Sequence, residues 1–306
     1  MRLAVVAVLT LLASTASAQP MLKDGPPPED RLVYTSLTAL RLNAIGLAEV
    51  ARLTYRKRLY LSDELALRDN YAGGGLSTTI VPAYVKLGAL VETAPLSVLR
   101  LWAQFEVAAY FGSFWMIQSF DKPTDDFSDT TLRALAELAE GDPARNYPTA
   151  GTHGTLGADL QVKLGPVAVR NFTKLESSRL TLRPGEDYYY DQNQDSLTPN
   201  GGLLFLNDSD LLWVSDFGLT AGARFSVMQP FYDPKEVNLN GSSRVGPLVA
   251  YTFFSEDGAA FNNPTILVVA NWWLTHRYRT GADSSQLFPY IVLGFAFTGD
   301  LLPLRR

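Results

Sequence analysis

Two histidines, His153 and His276, are the residues best suited to moving a proton near neutral pH, and they lie far apart in the chain. Either could activate a serine, but neither stands in a nucleophile motif. The chain has no G-x-S-x-G, no H-E-x-x-H, no phosphate-binding loop and no G-x-G-x-x-G. Gly73-Gly74-Gly75 reads as part of a loop with no helix behind it, so it is no phosphate cradle. Asp191-Gln192-Asn193-Gln194-Asp195 begins like a calcium loop, but Ser196 and Gly202 stand where an EF-hand needs Gly and Glu. A polar surface loop, with or without a loosely held Ca²⁺, is the expectation there. With no cysteine, thiol catalysis, disulfides and thiolate metal sites are excluded. The chain therefore reads as a non-enzyme with no cofactor and no metal.

The remaining chemistry is charge. The chain is acidic overall, with net charge −5, which argues against a nucleic-acid partner. The acid gathers in predicted loops, at Asp125-Asp126, Asp129, Glu137, Glu140, Glu186-Asp187, Asp191 and Asp195. The basic residues instead fall inside segments that alternate apolar and polar.

Those segments have strand periodicity. From Ser97 to Phe111, Leu99, Leu101, Ala103, Phe105, Val107, Ala109 and Phe111 point one way. Arg100, Trp102, Gln104, Glu106, Ala108 and Tyr110 point the other. An apolar stripe backed by a charged stripe suits a strand between lipid and a polar lumen. Predicted strands run over 32–44, 47–60, 76–92, 96–111, 155–164, 167–182, 203–214, 217–228, 244–254, 265–278 and 287–298. Because single-chain barrels carry an even number of strands, about twelve is the expectation, within a range of ten to fourteen, with the miscount placed near 183–190 or 203–206. Mostly tight turns, such as Ile45-Gly46 and Gly165-Pro166, alternate with long polar connections, such as 62–75, 112–154 and 183–202. The longest connection predicts a helix over 128–140, capped by Ser128 and ended by Gly141 and Pro143, with Leu132, Leu135 and Ala139 on one side. It covers either the barrel mouth or neighbouring loops.

Three regions follow. Residues 1–18 read as a signal peptide, with Arg2, the apolar run 3–12 and Ala16-Ser17-Ala18 before the cleavage point. Residues 19–30 read as a Pro-rich mobile leader, and 31–306 as the barrel. The longest nearly apolar run, 265–274, is about half of what a spanning helix needs.

Strand charges are costly in lipid, so they are assigned to the lumen. This gives Arg52, Arg56, Arg58, Arg100, Glu106, Asp159, Lys163, Arg170, Lys174, Glu176, Arg224, Arg244 and Arg277 as lumen-lining candidates. Tyr188, Trp272, Trp273 and Tyr278 are the candidates for interfacial aromatics. Lys57 is placed at the long-loop rim, at headgroup level, where it could meet lipopolysaccharide phosphate or merely be solvated.

Taken together, these features resemble a bacterial outer-membrane β-barrel, over nearly the whole chain after the signal, with no subfamily marked. In that class the last strand ends in an aromatic; Phe295 and Phe297 stand near it, but the chain continues to Arg306. The resemblance implies an all-β fold, a single transmembrane antiparallel up-and-down barrel in the outer membrane of a Gram-negative cell. Its partners would be outer-membrane lipid and lipopolysaccharide, and the barrel-assembly machinery. The basic lumen predicts a narrow channel preferring small anionic solutes. The alternative is a closed barrel, its charges paired, with a structural or surface-interaction role through its long loops. A barrel-embedded lipid hydrolase is disfavoured by the missing motif.

Overall fold

The computed structural model describes residues 26–42, 46–232, 239–256, 259–281 and 287–302. The proposed signal peptide and the leader up to residue 25 lie outside them.

Five long strands come first: β1 (Asp30–Leu42), β2 (Gly46–Lys57), β3 (Tyr71–Val81), β4 (Tyr84–Leu96) and β5 (Leu99–Phe111). A connection follows that carries the short strand β6 (Ser119–Phe120) and the helix α1 (Asp129–Ala136). Next come β7 (Pro148–Leu164) and β8 (Val167–Leu180), then a hairpin of β9 (Tyr188–Asp191) and β10 (Ser196–Pro199). The chain ends in β11 (Leu203–Val214), β12 (Leu219–Phe231), β13 (Ser242–Thr252), β14 (Asn262–Thr275) and β15 (Tyr290–Asp300).

All but β6, β9 and β10 form one closed antiparallel barrel, in the order β1-β15-β14-β13-β12-β11-β8-β7-β5-β4-β3-β2. That is twelve strands, in the middle of the expected range. β1 closes the ring on β15, from Val33 opposite Asp300 to Leu42 opposite Ile291. Closure leaves no edge strand, so every span's backbone groups are met without water.

Alternation does the sorting. On β5 the outward Leu101, Phe105, Val107 and Phe111 are 43–60 % exposed, whereas the inward Trp102 and Glu106 are 6 % and 1 % exposed. Such an outside is stable only against lipid.

The connections after β1, β3, β5, β8, β12 and β14 lie at one rim, here called the lid rim. The opposite rim, the base, carries the other connections, the start of β1 and the end of β15. β10, β9 and β6 form a three-stranded sheet at the lid rim, in that order. Phe127, Leu132, Tyr190, Leu197 and Tyr232 pack there into a small core of their own. Ser128 caps α1, accepting from Thr131 N at 3.4 Å, and the helix stops at Ala136, short of the expected residue 140. Its buried Leu132 packs on lid residues, so the helix covers loops. Ile117 and Tyr189 reach further in, into the main core with Leu37, Tyr84 and Tyr110.

The structure corrects the strand count at a place the sequence reading passed over. Residues 76–92 are not one strand: they belong to β3 and β4, which turn at 82–83. Pro82 at the turn has no N–H to give a ladder. Gly73-Gly74-Gly75 is strand as well, not loop. A Cβ on Gly73 would run into the Tyr55 carbonyl oxygen at 2.5 Å and crowd Arg56 at 3.3 Å, so β3 needs glycine where it passes β2. The extra reversal also flips the rim of everything before it. The 58–70 connection and Lys57 are therefore at the base, not at the long-loop rim, and Lys57 faces Glu29 at 3.6 Å.

Candidate functional site: a filled lumen under a lid

Two buried charge networks cross the lumen. In the first, Glu92 takes Arg56 at 2.6 Å on one oxygen and Arg100 at 2.6 Å on the other. Arg100 also holds Asp159 at 2.8 Å, and Trp102 donates its indole N–H to the same carboxylate at 3.2 Å. Arg52 lies over the Trp102 ring, 5.0 Å from its centroid, and donates to Gln104. A Cβ on Gly157 would run into that ring, so β7 needs glycine where it passes Trp102.

In the second, Asp210 is clasped by Arg170 at 2.7 Å and by Arg224, whose Nε is also at 2.7 Å. Arg224 reaches Asp208 at 3.7 Å, and Ser226 donates to Asp208 at 2.5 Å. Buried ions persist only when paired and hydrogen-bonded, and these carboxylates meet that condition.

Other basic groups use aromatic faces. Arg244 lies over Tyr290 at 4.1 Å and Trp273 at 5.2 Å, and Lys86 over Tyr84 at 5.6 Å. Arg52, Lys86 and Arg244 form no salt bridge among the described residues. The two cavities described in the lumen, both lined by Asp208, Ser226 and Arg244, hold about 10 Å³ each. That is room for roughly one water molecule.

His153 sits in this lumen with its Nδ1 2.6 Å from Ser178 Oγ and its Nε2 3.2 Å from Thr155 Oγ1. Glu176 stands 3.9 Å from Nε2. The pairing has the elements of a nucleophile and its base. Tyr189 from the lid packs into the core nearby, and His153 is 4 % exposed.

Two polar clusters help tie the lid to the barrel. Arg41 of β1 donates to the carbonyls of Gln192 and Asn193, at 3.0 and 3.3 Å, while Asn193 donates to Tyr84 Oη at 3.0 Å. The second cluster is a latch around Asp195. Arg279 Nε donates to Asp195 Oδ2 at 2.7 Å, Tyr190 Oη to Oδ1 at 2.7 Å, and His276 Nε2 lies 2.9 Å from the Asp195 carbonyl. His276 Nδ1 accepts from the N–H groups of Tyr278 and Arg279, so the ring proton is on Nε2 and is given to that carbonyl. Arg279 also forks onto Asp129, at 2.6 and 2.7 Å, which fixes the start of α1. Burial alone would raise the Asp195 carboxyl, but Arg279 and His276 outweigh it and hold it at about 2. Burial lowers His276 below its ordinary value against the pull of Asp195.

Of the expected lumen residues, Arg52, Arg56, Arg100, Glu106, Asp159, Arg170, Lys174, Glu176, Arg224 and Arg244 point inward. Three sit elsewhere. Lys163 is inward by alternation but exposed at the base, one residue from the end of β7. Arg58 lies just past β2, donating to the Pro27 carbonyl. Arg277 lies past β14 in the lid, donating to Thr124 O at 2.7 Å.

Of the interfacial aromatics, Trp272 faces outward, 39 % exposed. Trp273 is one residue on and therefore inward, stacked near His276 and Tyr290. Tyr188 and Tyr278 belong to the lid core, packed on Tyr232 and Phe127. The 191–195 run is a hairpin tip with Gln192, Asn193 and Gln194 buried, not a solvated loop. Among the described residues no group of His, Asp and Glu is arranged to hold a metal.

The sequence reading missed Arg41, Lys86, Glu92, Asp208 and Asp210. Alternation against the outward Phe205, Leu211 and Trp213 would have found the two aspartates. It also missed an aromatic band at the base, where Trp213 meets Phe217, Tyr251 meets Phe253, and Phe261 meets Phe254 and Phe297.

A closed barrel, apolar outside and charged inside, with aromatics near the base, defines the class: the chain is an outer-membrane type of β-barrel. No protein-family model matches it, and no curated protein is significantly similar. Among solved structures it is similar to the β-domain of the Bordetella autotransporter BrkA, at 12 % identity, with 89 % of this chain and 98 % of that one covered and a TM-score of 0.44. It is also similar to the translocator domain of the autotransporter NalP from Neisseria meningitidis (13 % identity, 88 % and 87 % covered, TM-score 0.39). A third is the Pseudomonas putida toluene transporter TodX (9 % identity, 96 % and 94 % covered, TM-score 0.35). Likenesses at this level carry no argument about what the chain does.

Proposed function

We propose that this protein is an outer-membrane barrel that stands closed and works through its lid. The observation that carries the reading is the burial of the inward side chains, with Glu92, Glu106, Asp208 and Arg224 each 4 % exposed or less, and narrow spaces of about 10 Å³ at Arg244. A lumen packed in this way leaves no path for a hydrated solute. The lid offers an outer face bearing Asp121, Asp126, Asp129, Glu137 and Glu140, all exposed, which suits basic partners or cations at the cell surface. The outer-membrane address rests on the apolar outer belt and the base aromatics. Export through a cleaved signal, insertion by the assembly machinery and contact with lipopolysaccharide belong to the same reading.

A narrow anion-preferring channel is the second reading. It is favoured by Arg52, Lys86 and Arg244, basic lumen groups that lie over rings and make no carboxylate pair among the described residues. Single-channel recording in a planar bilayer under a salt gradient separates the two. Folded, inserted protein is expected to give no discrete current steps. Regular steps with an anion-selective reversal potential would overturn the closed reading and put Arg52 and Arg244 at the centre of the second.

A further inference from the structure

The outward face of the barrel has two polar places well inside the apolar belt. On the β1–β2 seam, Glu49 takes Ser36 at 2.5 Å on one carboxyl oxygen and Thr38 on the other. These three alternate with the inward Leu37, Ala39 and Val50, so they face lipid. Phe295, Leu40, Leu47 and Ile80 surround them. On the β8–β11 seam, Asn171 donates to Asn207 at 3.3 Å and Ser209 at 2.8 Å. Asn207 donates back to Asn171 at 3.2 Å and to Thr173 at 2.8 Å. They alternate with the inward Arg170, Phe172, Asp208 and Asp210. More than two residues from a strand end, Glu49 is the outward carboxylate and Asn171 and Asn207 the outward amides among the described residues.

Polar groups facing lipid are costly unless something polar meets them. The amide patch spends its N–H groups internally, and Ser209 and Thr173 donate to the Asn207 and Asn171 amide oxygens at 3.0 and 2.9 Å; because each of those oxygens also accepts an amide N–H, either hydroxyl hydrogen can turn outward, and each hydroxyl oxygen keeps a lone pair. Its own seam gives Glu49 two hydroxyl donors and no counter-charge among the described residues. As a carboxylate it has a charge with no cation beside it among the described residues; as an acid it has an O–H to give. The amide and hydroxyl patch answers either form.

The two places also stand in register. In the ring order, six strands separate the β1–β2 seam from the β8–β11 seam in either direction, so the seams are diametrically opposite. Glu49 is three residues in from the lid end of β2 at Gly46, and Asn207 four in from the lid end of β11 at Leu203. Neighbours side by side in one bilayer would bring the two to nearly the same depth.

We propose that copies of this chain associate laterally in the membrane, head to tail, with the Glu49 seam of one against the Asn171–Asn207 seam of the next. Such a heterologous contact does not close on itself with opposed seams, so it builds rows. The proposal rests on the barrel standing in a membrane and not on its lumen being closed.

The chain has no cysteine, so single cysteines report contacts directly. Leu47→Cys and Phe205→Cys, both outward beside the two patches, are placed on differently tagged full-length chains, co-inserted in lipid vesicles and oxidised. Val268→Cys, on an outward flank away from both seams, gives the collision baseline. Mixed 47–205 disulfides well above that baseline are expected. They should fall about tenfold in Glu49→Leu, the loss expected for one or two membrane hydrogen bonds. They should persist in Glu49→Gln, whose amide still donates. Each variant is first checked for the heat-resistant mobility of a folded barrel. Baseline yields in the folded wild-type background, or a dominant 47–47 or 205–205 product, would overturn the proposal.

Discussion

Asp210 shows what a single lumen residue is asked to do. It is 2 % exposed and is shared by Arg170 and Arg224, each at 2.7 Å. Removing one member of a buried ion cluster leaves the others charged and uncompensated, at a cost of about 3–5 kcal/mol. Asp210→Leu is therefore expected to lower the urea midpoint of barrel unfolding strongly. Asp210→Leu combined with Arg170→Met should recover part of the loss, since it removes a stranded cation. A double variant no more stable than the single one would mean that the cluster contributes packing and not charge balance. At this scale the sequence was legible by face: alternation, and the price of charge in lipid, put Arg100 and Arg224 inside. It could not show which acid each would meet. That depends on shear between strands distant in the chain, such as β8 and β11, which bring Arg170 opposite Asp210. Nor could it separate Trp272 from Trp273, because adjacent residues face opposite ways and a slip of one exchanges them.

The β9–β10 hairpin is the element whose stability depends on pH. Asp195 at its turn is held at about 2, below the 3.8 of an ordinary aspartate. A carboxyl lowered by its folded surroundings stabilises them fully above its unfolded value, and that contribution is lost as pH falls toward the folded one. The difference corresponds to about 2 kcal/mol, present at neutral pH and gone near pH 2. His276, lowered below its ordinary 6.5, works in the same direction, because acid protonates it more readily once it is released. Hydrogen exchange corrected for intrinsic rates is expected to show lid amides such as Leu197 losing protection from about pH 6 downward, while β5 and β7 stay protected. Asp195→Asn should remove the part of the change below pH 4. Equal loss in lid and barrel would instead mean global acid unfolding. This element was hidden in the sequence. Tyr188-Tyr189-Tyr190 and the polar run after it look like a girdle and a solvated tip, and only the fold of two long connections over one mouth makes them a buried hairpin. The turn at 82–83 was hidden for a different reason: apolar residues run through it on both sides, and Pro82 was the one local sign of the reversal.

Orientation belongs to the whole molecule, and it follows from counting reversals. With twelve strands the start of β1 and the end of β15 share the base, and the connections bearing α1 and the β9–β10 hairpin share the lid rim. In outer-membrane barrels the longer connections face the exterior. The 58–70 connection is long as well, yet it lies at the base, with Asn70 holding the backbone N–H groups of Leu59 and Tyr60 at 2.9 Å. Length alone would group it with the lid connections; the strand between β2 and β5 that the turn at 82–83 creates puts it at the opposite rim. Single cysteines decide the matter, because the chain supplies none of its own. Glu140→Cys, exposed in the lid, is expected to react with a membrane-impermeant maleimide on intact cells. Leu65→Cys is 62 % exposed in the native chain's base connection and should react only after the outer membrane is opened. Labelling of Leu65→Cys on intact cells with Glu140→Cys protected would invert the barrel, move the acidic lid to the periplasm and remove the cell surface from the proposed role. Labelling of both on intact cells would break the parity argument itself, since only an even number of strands between them, where β3, β4 and β5 now stand, would bring the two connections to one rim.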